Sequence, residues 1–229
     1  MTGMNLRGPR TIVLAALAAV GGLVLPAERM EAQTVAGKAY GTYVNALGVT
    51  AQSPVATLPS TGGMSVGDAE TFGVPSAIDA RWLTAVTTGA ADNPVSSSQS
   101  TSELENVSVL DGLITADIVT AIASSSQNAA GAASDAAGSG FVNLVVAGTA
   151  VTTDVAPNTR VELPGVGYAV LNEQKQTGDG VTSSGITVNM IHVVLQSLTG
   201  GGCTLLGCLP GVLTTTGEII VGSASSRVN

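Results

Sequence analysis

The chain has 229 residues, enough to bury a substantial core, and is 45% hydrophobic, 10% charged and 3% aromatic. This combination of low charge and high hydrophobicity excludes a disordered acidic tail. Eight basic against sixteen acidic side chains, a net charge of −8, exclude nucleic-acid binding driven by counterion release. One His and two Cys leave little material for metal or nucleophile chemistry. Composition therefore predicts architecture and location better than molecular role.

The N-terminal segment has the layout of a secretory signal peptide. Arg7 and Arg10 form a positively charged region, and residues 11–25 (TIVLAALAAVGGLVL) form an apolar stretch that Pro26 ends. A retained membrane anchor is the alternative, but fifteen apolar residues fall short of the roughly 20 that span a bilayer. The layout therefore favours cleavage and export.

We predict cleavage after Ala32, with Ala27 and Ala36 as alternative small residues at the cut. The expected organisation is a signal peptide over residues 1–32 and a single domain over residues 33–229. The domain then carries 5 basic and 14 acidic side chains, a net charge of −9. Such a chain suits a secreted or surface-attached protein, and no span of a membrane is expected after cleavage.

The rest of the chain reads as short strands separated by Gly, Pro, Asn and Ser. Period-two alternation of Val, Ile and Thr is common and helical periodicity is scarce. Pro164 to Gly167 reads as the turn of a hairpin, because Pro fixes one turn torsion and Gly permits positive φ. The pattern predicts an all-β fold, an antiparallel β-sandwich resembling a jelly roll. The candidate strands are residues 38–47, 80–88, 141–147, 160–163, 168–174, 185–197 and 217–223.

Residues 113–123 fit either a strand or a helix. On a strand, Ile114, Ala116, Ile118 and Ile122 share one face, whereas on a helix the Ile residues recur every four positions. The density of β-branched side chains favours the strand. Loops are predicted for residues 62–76, 89–102 and 124–140, the last of which is small and low in complexity.

Several of these strands resemble the choice-of-anchor P family. The strings 185–193 (GITVNMIHV) and 217–224 (GEIIVGSA) carry the resemblance, and residues 37–41 and 108–116 look like the family's first and middle strands. The resemblance implies an exported bacterial protein attached to the cell surface by a variable C-terminal anchor. This sequence stops at residue 229 soon after the last strand, so attachment by such an anchor is not expected.

Cys203 and Cys208 lie in a Gly-rich connection between two predicted strands. Two cysteines in an exported chain most often pair, so we predict a disulfide between them. A redox role is the alternative, although the pair has four intervening residues and no helix start to lower a thiol pKa.

His192 is the only imidazole, and a structural role at the edge of the core is expected for it. Period-two counting places it on one strand face with Val188, Met190 and Val194. A serine-hydrolase triad around His192 is not predicted, because no Gly-x-Ser-x-Gly elbow positions a serine.

The segment 58–62 (LPSTG) matches a sortase sorting pattern, but it lies in the first third of the chain without the apolar stretch and basic tail that follow such a signal. Its Pro and Gly indicate a turn instead.

Acidic residues are scattered, and no cofactor is predicted. Four of them fall in predicted loops without the alternating spacing of a calcium loop, which leaves calcium binding through scattered oxygens open. Glu103 and Glu105 are expected on a solvated strand face rather than as a catalytic pair. The four loop acids are Asp68, Glu70, Asp79 and Asp92.

These observations predict an exported, non-enzymatic structural or interaction protein of the bacterial cell envelope or extracellular matrix. Its expected partners are further copies, in an oligomer or filament, and other envelope or matrix components. Residues 33–43 either add to a neighbouring copy's sheet or pair within their own domain, which local pairing favours. The alternative function is an adhesin or carbohydrate-binding module, which the few aromatic side chains, mostly expected in the core, make less favoured.

Overall fold

The computed structural model describes residues 33–229 except positions 47, 153, 201, 205, 206 and 210, and it describes only the backbone of residues 202–204 and 207–209. Residues Ala32–Asn229 form one compact unit. Within the described part of the chain, no helix has the length and apolarity needed to cross a membrane. The signal peptide predicted over residues 1–32 lies outside the described residues.

The described residues of the unit form sixteen antiparallel strands. They are β1 (Val35–Ala46), β2 (Val49–Thr57), β3 (Gly62–Val74), β4 (Ile78–Asp92), β5 (Val95–Val109), β6 (Ile114–Asn128), β7 (Gly131–Asp135), β8 (Gly140–Val142), β9 (Val145–Val146), β10 (Thr149–Ala150), β11 (Thr159–Leu163), β12 (Gly167–Gly178), β13 (Ser184–Thr199), β14 (Gly202–Thr204), β15 (Gly207–Leu209) and β16 (Val212–Val228).

The strands form two large sheets packed face to face, which confirms the predicted all-β sandwich. One has six strands in the order β11-β12-β13-β16-β1-β2, and the other has the order β10-β9-β6-β5-β4-β3, with β7 and β8 paired to β6. Strands β14 and β15 form a separate hairpin. Strands β2 and β3 lie at the edges of their sheets on the same side of the sandwich, because they follow each other through a short turn.

Apolar side chains from both sheets fill the interior. The β4–β6 part of one sheet contributes Leu83, Leu104 and Val119, which are at most 1% exposed, and the facing sheet contributes Leu171 and Ile219, which are fully buried. Side chains of this size separate two sheets by about 10 Å, the usual spacing in a sandwich.

Serine hydroxyls fill the interior at one end of β5. Ser96, Ser98, Ser100 and Ser102 alternate along its inner face, and each is at most 3% exposed. Ser98 Oγ donates to the carbonyl oxygen of Ala36 at 2.8 Å, and Ser102 Oγ donates to that of Tyr40 at 2.9 Å. Since a hydroxyl of one sheet reaches the backbone of the other, the two sheets approach more closely here than around the leucine core.

The three loops predicted at residues 62–76, 89–102 and 124–140 were wrong. Residues 62–74 are β3, residues 89–92 and 95–102 belong to β4 and β5 with a two-residue turn between them, and residues 124–135 belong largely to β6 and β7. Serine disfavours strands when it competes with the backbone for hydrogen bonds, but here carbonyl groups of the facing sheet accept hydrogen bonds from Ser98 and Ser102. The acids Asp68, Glu70, Asp79 and Asp92 accordingly lie on strands rather than in loops.

The strand predicted at residues 113–123 is confirmed as part of β6, but its predicted face is wrong in part. Ile114 and Ala116 point into the core, whereas Ile118 and Ile122 are only half-buried and Val119 takes the inward position. The alternation therefore shifts by one residue within the strand.

Residues with left-handed backbones accompany this shift in several strands. Trp82 (φ 48°) and Asn106 (φ 50°) lie where the register between β4 and β5 shifts, whereas Asn172 (φ 51°) lies opposite Met190 in a β12–β13 register that does not shift. Such bulges re-aim the side chains that follow them.

Most other predicted elements are confirmed. Five of the candidate strands lie within β4, β11, β12, β13 and β16, and residues 141–147 divide between β8 and β9. Residues 38–46 of the first candidate strand lie in β1, and its last position, 47, lies outside the described residues. Residues 164–167 form the hairpin turn between β11 and β12, and residues 58–62 form the turn between β2 and β3.

Strand β1 pairs within its own domain, as local pairing favoured. It lies between β16 and β2, with Val35 opposite Val228. At the end of this pairing, the N–H of Thr34 donates to the carbonyl of Asn229 at 3.1 Å, and the N–H of Asn229 donates back at 3.0 Å. Residues 34 and 229 therefore lie side by side.

Candidate functional site

A His192-centred cluster of polar side chains crosses the outer face of the six-stranded sheet. His192 on β13 places Nδ1 3.1 Å from Glu173 Oε2 of β12 and Nε2 3.3 Å from Glu218 Oε2 of β16. The imidazole is thus held between two carboxylates from the strands on either side. All three side chains are half-buried.

Two more residues extend this cluster toward β1. Asn189 Nδ2 donates to Glu173 Oε2 at 2.6 Å, and Ser223 Oγ donates to Asn189 Oδ1 at 2.8 Å. Beyond Ser223, burial raises the pKa of Tyr40, and the Ser223 hydroxyl partly opposes that rise. The hydrogen-bonded cluster therefore joins β12, β13 and β16.

The structure corrects the predicted neighbours of His192. Val188 and Met190 point into the core, whereas His192 and Val194 lie on the outer face. The reason is that Met190 and Ile191 are both buried, so the alternation of β13 shifts between Met190 and His192. The expected role, a hydrogen-bonded His beside the core, agrees with its contacts.

The carboxylates change the titration of His192. A hydrogen bond to Glu173 raises the pKa of His192 above its usual 6.5, against the opposing effect of burial. The same hydrogen bond lowers the pKa of Glu173 below 4.5. The raised His192 pKa stabilises the fold most below pH 6.5, and this contribution is lost as the pH rises through the folded-state value. Because folding lowers the pKa of Glu173, its carboxylate stabilises the fold above pH 4.5. This contribution to the free energy of unfolding is lost as the pH falls through the folded-state pKa.

We therefore expect the free energy of unfolding to be largest between about pH 4.5 and 6.5. The substitution His192→Gln should remove the fall in stability between pH 6 and 8, a difference of about 1 kcal/mol for this partly exposed cluster. Urea unfolding of both proteins at several pH values measures it.

Because His192 is the only imidazole, the difference between the two pH profiles isolates its contribution. Parallel profiles from pH 5 to 8 would show that the carboxylates do not stabilise the imidazolium.

Tyrosine and cationic side chains surround the His192-centred cluster. The Lys38 ammonium lies 5.4 Å from the centre of the Tyr40 ring, and the Arg160 guanidinium lies 3.6 Å from that of Tyr168. Arg160 also pairs with Glu162 at 2.7 Å. The expectation that most aromatic side chains are core was wrong, since all three tyrosines are only half-buried and Phe141 is the one aromatic residue of the described chain below 9% exposure.

The eight-stranded sheet has a very different outer face, which we call the acidic face. Its strands carry one basic side chain, Arg81, and eight acidic ones. Trp82, the only tryptophan, is 57% exposed on this face. Register places Glu70 opposite Trp82 on β3, and Glu103 and Glu105 beside it on β5. The eight acids are Asp68, Glu70, Asp79, Asp92, Glu103, Glu105, Asp117 and Asp135.

The predicted solvated strand face for Glu103 and Glu105 is confirmed, because both alternate with the buried Leu104. Among the residues described, no three His, Cys, Asp or Glu side chains are arranged to hold a metal ion. Calcium binding stays a hypothesis without a site.

A polar groove of about 470 Å³ lies across β4 to β7 on the same sheet. Its lining includes Ser97, Gln99, Ser124 and Ser126, and Gln99 Nε2 donates to Ser124 Oγ at 3.1 Å. Hydroxyl and amide groups at a concave surface suit a ligand rich in hydroxyls.

Cys203 and Cys208 face each other across the β14–β15 hairpin in the backbone register. Their side chains lie outside the described residues, so the disulfide stays a prediction. Directly opposed residues in an antiparallel pair have the Cα spacing that a disulfide needs, and non-reducing peptide mapping tests it.

Sequence reasoning singled out His192 but missed Glu173, Asn189 and Glu218. Glu173 lies 19 residues before His192 and Glu218 26 residues after it. The available signal was that all of them lie on predicted strands, and only the order of those strands in the sheet brings them together.

Comparison with known proteins yields one match. A family described as "Domain of unknown function (DUF8256)" matches residues 29–183. The matched segment covers β1 to β12 and ends one residue before β13. No curated protein and no solved structure matches the chain.

Proposed function

The chain belongs to the DUF8256 family, a domain of unknown function, and from this premise we propose that it is an exported, non-enzymatic structural protein of the bacterial cell envelope or extracellular matrix that self-assembles by β-strand addition. The single observation that carries the proposal is the apolar open edge that β2 and β3 form on one side of the sandwich.

Export is supported by the sequence. Arg7, Arg10 and the apolar residues 11–25 have the order of a signal peptide, and cleavage is predicted after Ala32. The resemblance to the choice-of-anchor P family supports a bacterial surface location. Mass spectrometry of exported protein should place the N-terminus between residues 28 and 37.

The open edge has the properties of a pairing template. Strand β3 pairs with β4 over thirteen residues, and no other strand of the described chain pairs with it. Met64 is 67% exposed and Val66 51% exposed on this strand, and Val49 and Val55 of β2 are also exposed. Long edges with exposed apolar side chains invite another strand.

Acidic side chains restrict strand addition to the first half of β3. Asp68 and Glu70 lie in its second half, where acidic side chains disfavour addition of a similar strand. Thr57 of β2 donates to Ser65 Oγ at 3.3 Å, so β2 lies close beside the first half. Strand addition is therefore expected around Met64 and Val66, with Val55 of β2 as part of the contact.

The test is assembly of the domain expected after cleavage, residues 33–229, which has its own core. Sedimentation velocity and electron microscopy should show ordered oligomers of the wild-type protein. The double substitution Met64→Lys with Val66→Lys should strongly reduce these ordered oligomers, because lysine on an edge opposes strand addition.

The matched control is Val181→Lys, since Val181 is 66% exposed on the β12–β13 connection, away from this edge. It should assemble like the wild type. Wild-type protein that stays monomeric at high concentration, with and without calcium, would contradict self-assembly.

The second candidate is an adhesin or carbohydrate-binding module. The polar groove across β4 to β7, lined by hydroxyls and by Asp135, favours it. A glycan array distinguishes the two candidates, because a structural protein gives no reproducible glycan signal.

A further inference from the structure

The two outer faces of the sandwich differ strongly in charge. The acidic face has eight acidic side chains and one basic one on its strands, whereas the six-stranded sheet has four basic and three acidic. Four of the five basic residues of the domain therefore lie on the sheet opposite the acidic face. The four are Lys38, Arg160, Lys175 and Arg227.

Three of these cations gather at one end of the six-stranded sheet, which we call the basic corner. Lys38 on β1 and Lys175 on β12 lie in one row across the sheet, joined through Ser225 and Thr187. Arg227 on β16 lies two residues beyond Ser225, and all three side chains are exposed. The fourth cation, Arg160, is already paired with Glu162.

The acidic residues of the six-stranded sheet offset the basic corner only in part. Besides the hydrogen bond to His192, the charge of Lys175 helps to lower the pKa of Glu173. Glu173 and Glu218 both contact His192, and Glu162 contacts Arg160. The carboxylates of the acidic face are not neutralised by ion pairs. No ion pair in the described chain involves Asp68, Glu70, Glu103 or Glu105.

Trp82 gives the acidic face a large exposed apolar side chain. Its ring is open to solvent, whereas the rings of Tyr40 and Tyr168 are each covered by a cation of the same chain. Tryptophan is among the side chains that dominate binding interfaces, and its ring attracts ammonium and guanidinium groups. The surface around Trp82 thus fits a partner that carries Lys or Arg.

We infer that the acidic face of one copy docks on the basic corner of a second copy. This inference rests on the proposed self-assembly. The docking of these two faces is a second contact between copies, in addition to strand addition at the β3 edge. The acidic face and the basic corner are different surfaces. After two copies dock, one copy therefore still has an unoccupied acidic face and the other an unoccupied basic corner, so further copies can add instead of the contact closing a dimer.

A charge-swap experiment tests this contact. The variant Glu103→Lys with Glu105→Lys and the variant Lys38→Glu with Lys175→Glu should each weaken association about tenfold or more at low salt. An equimolar mixture of the two should associate again, since each reversed surface then meets a complementary one.

Trp82 reports the contact directly as the only tryptophan. Its fluorescence emission should shift to shorter wavelength as the wild-type concentration rises, and the shift should be reduced in 0.5 M salt, where charge attraction is screened. Assembly through the β3 edge alone leaves Trp82 exposed and gives no shift.

The matched control for the Glu103→Lys, Glu105→Lys variant is Asp111→Lys with Asp154→Lys, which changes the net charge by the same amount at two exposed positions outside the strands of the acidic face. It should keep both association and the fluorescence shift. Oligomers that persist in both swap variants, without a Trp82 shift, would overturn the face-to-face contact while leaving the proposed function intact. Failure of every variant and of the wild type to associate would overturn both.

Discussion

The substitution Gly167→Ala should lower the free energy of unfolding by about 3–4 kcal/mol. Gly167 begins β12 with φ +140°, a conformation that L residues rarely adopt, and a Cβ there would overlap the carbonyl oxygen of Val194 on β13. The backbone must shift to relieve the overlap, which disturbs the pairing of β12 with β13. Urea or thermal unfolding measures the loss.

Gly165→Ala is the matched control in the same turn. Gly165 also has positive φ (+80°), but a Cβ there meets no atom within 4 Å. Its cost should stay near 1 kcal/mol, the cost of a left-handed alanine. Equal losses for the two variants would show that the Val194 carbonyl does not restrict this position.

Gly37→Val should lower the free energy of unfolding by about 2–3 kcal/mol, because it overfills the close contact between the sheets. A Cβ at Gly37 would lie 2.8 Å from Ser100 Oγ and 3.2 Å from Ser98 Oγ. The added methyl groups would also break the hydrogen bond from Ser98 to the Ala36 carbonyl. Denaturant unfolding is again the measurement.

Two further variants make this test specific. Gly140→Val adds the same side chain where a Cβ meets no atom within 4 Å, and it should cost less than about 0.5 kcal/mol. Ser100→Ala should restore part of the stability of Gly37→Val, because Ser100 Oγ is buried without a hydrogen-bond partner. A double variant no more stable than Gly37→Val alone would contradict the proposed overlap.

The apolar strands and the tight hairpin were predictable from sequence because their signals are local. Alternating Val and Ile identified β13 and β16, and the run from Pro164 to Gly167 identified the turn before β12. Period and turn chemistry depend on neighbouring residues, so one sequence suffices to detect them.

The serine strands were not predictable in this way. The strand propensity of residues 96–102 is poor, and these residues are strands because a facing backbone accepts hydrogen bonds from Ser98 and Ser102. That acceptor lies about 62 residues away in sequence. The shift of alternation at Trp82, Asn106 and Asn172 also depends on pairing between strands, so period-two counting misplaced Ile118 and Met190.

The His192-centred cluster was predictable from sequence only in part. Its one imidazole was evident from composition, and its structural role followed from its place on a strand. Its partners depend on β12, β13 and β16 being neighbours, although β14 and β15 separate β13 from β16 in sequence. The local residue pattern does not show which strands become neighbours in a sheet, so Glu173 and Glu218 were missed.

The pairing of β1 with β16 has a mechanical consequence. Residues 34 and 229 lie side by side at the end of two antiparallel strands. A force that pulls these two residues apart loads the backbone hydrogen bonds of this pair one after another, from Val35 and Val228 inward, instead of loading them all together. The domain should therefore open like a zipper at low force when stretched through residues 34 and 229. A material made of such domains resists tension only if the load passes between copies through their edges and faces.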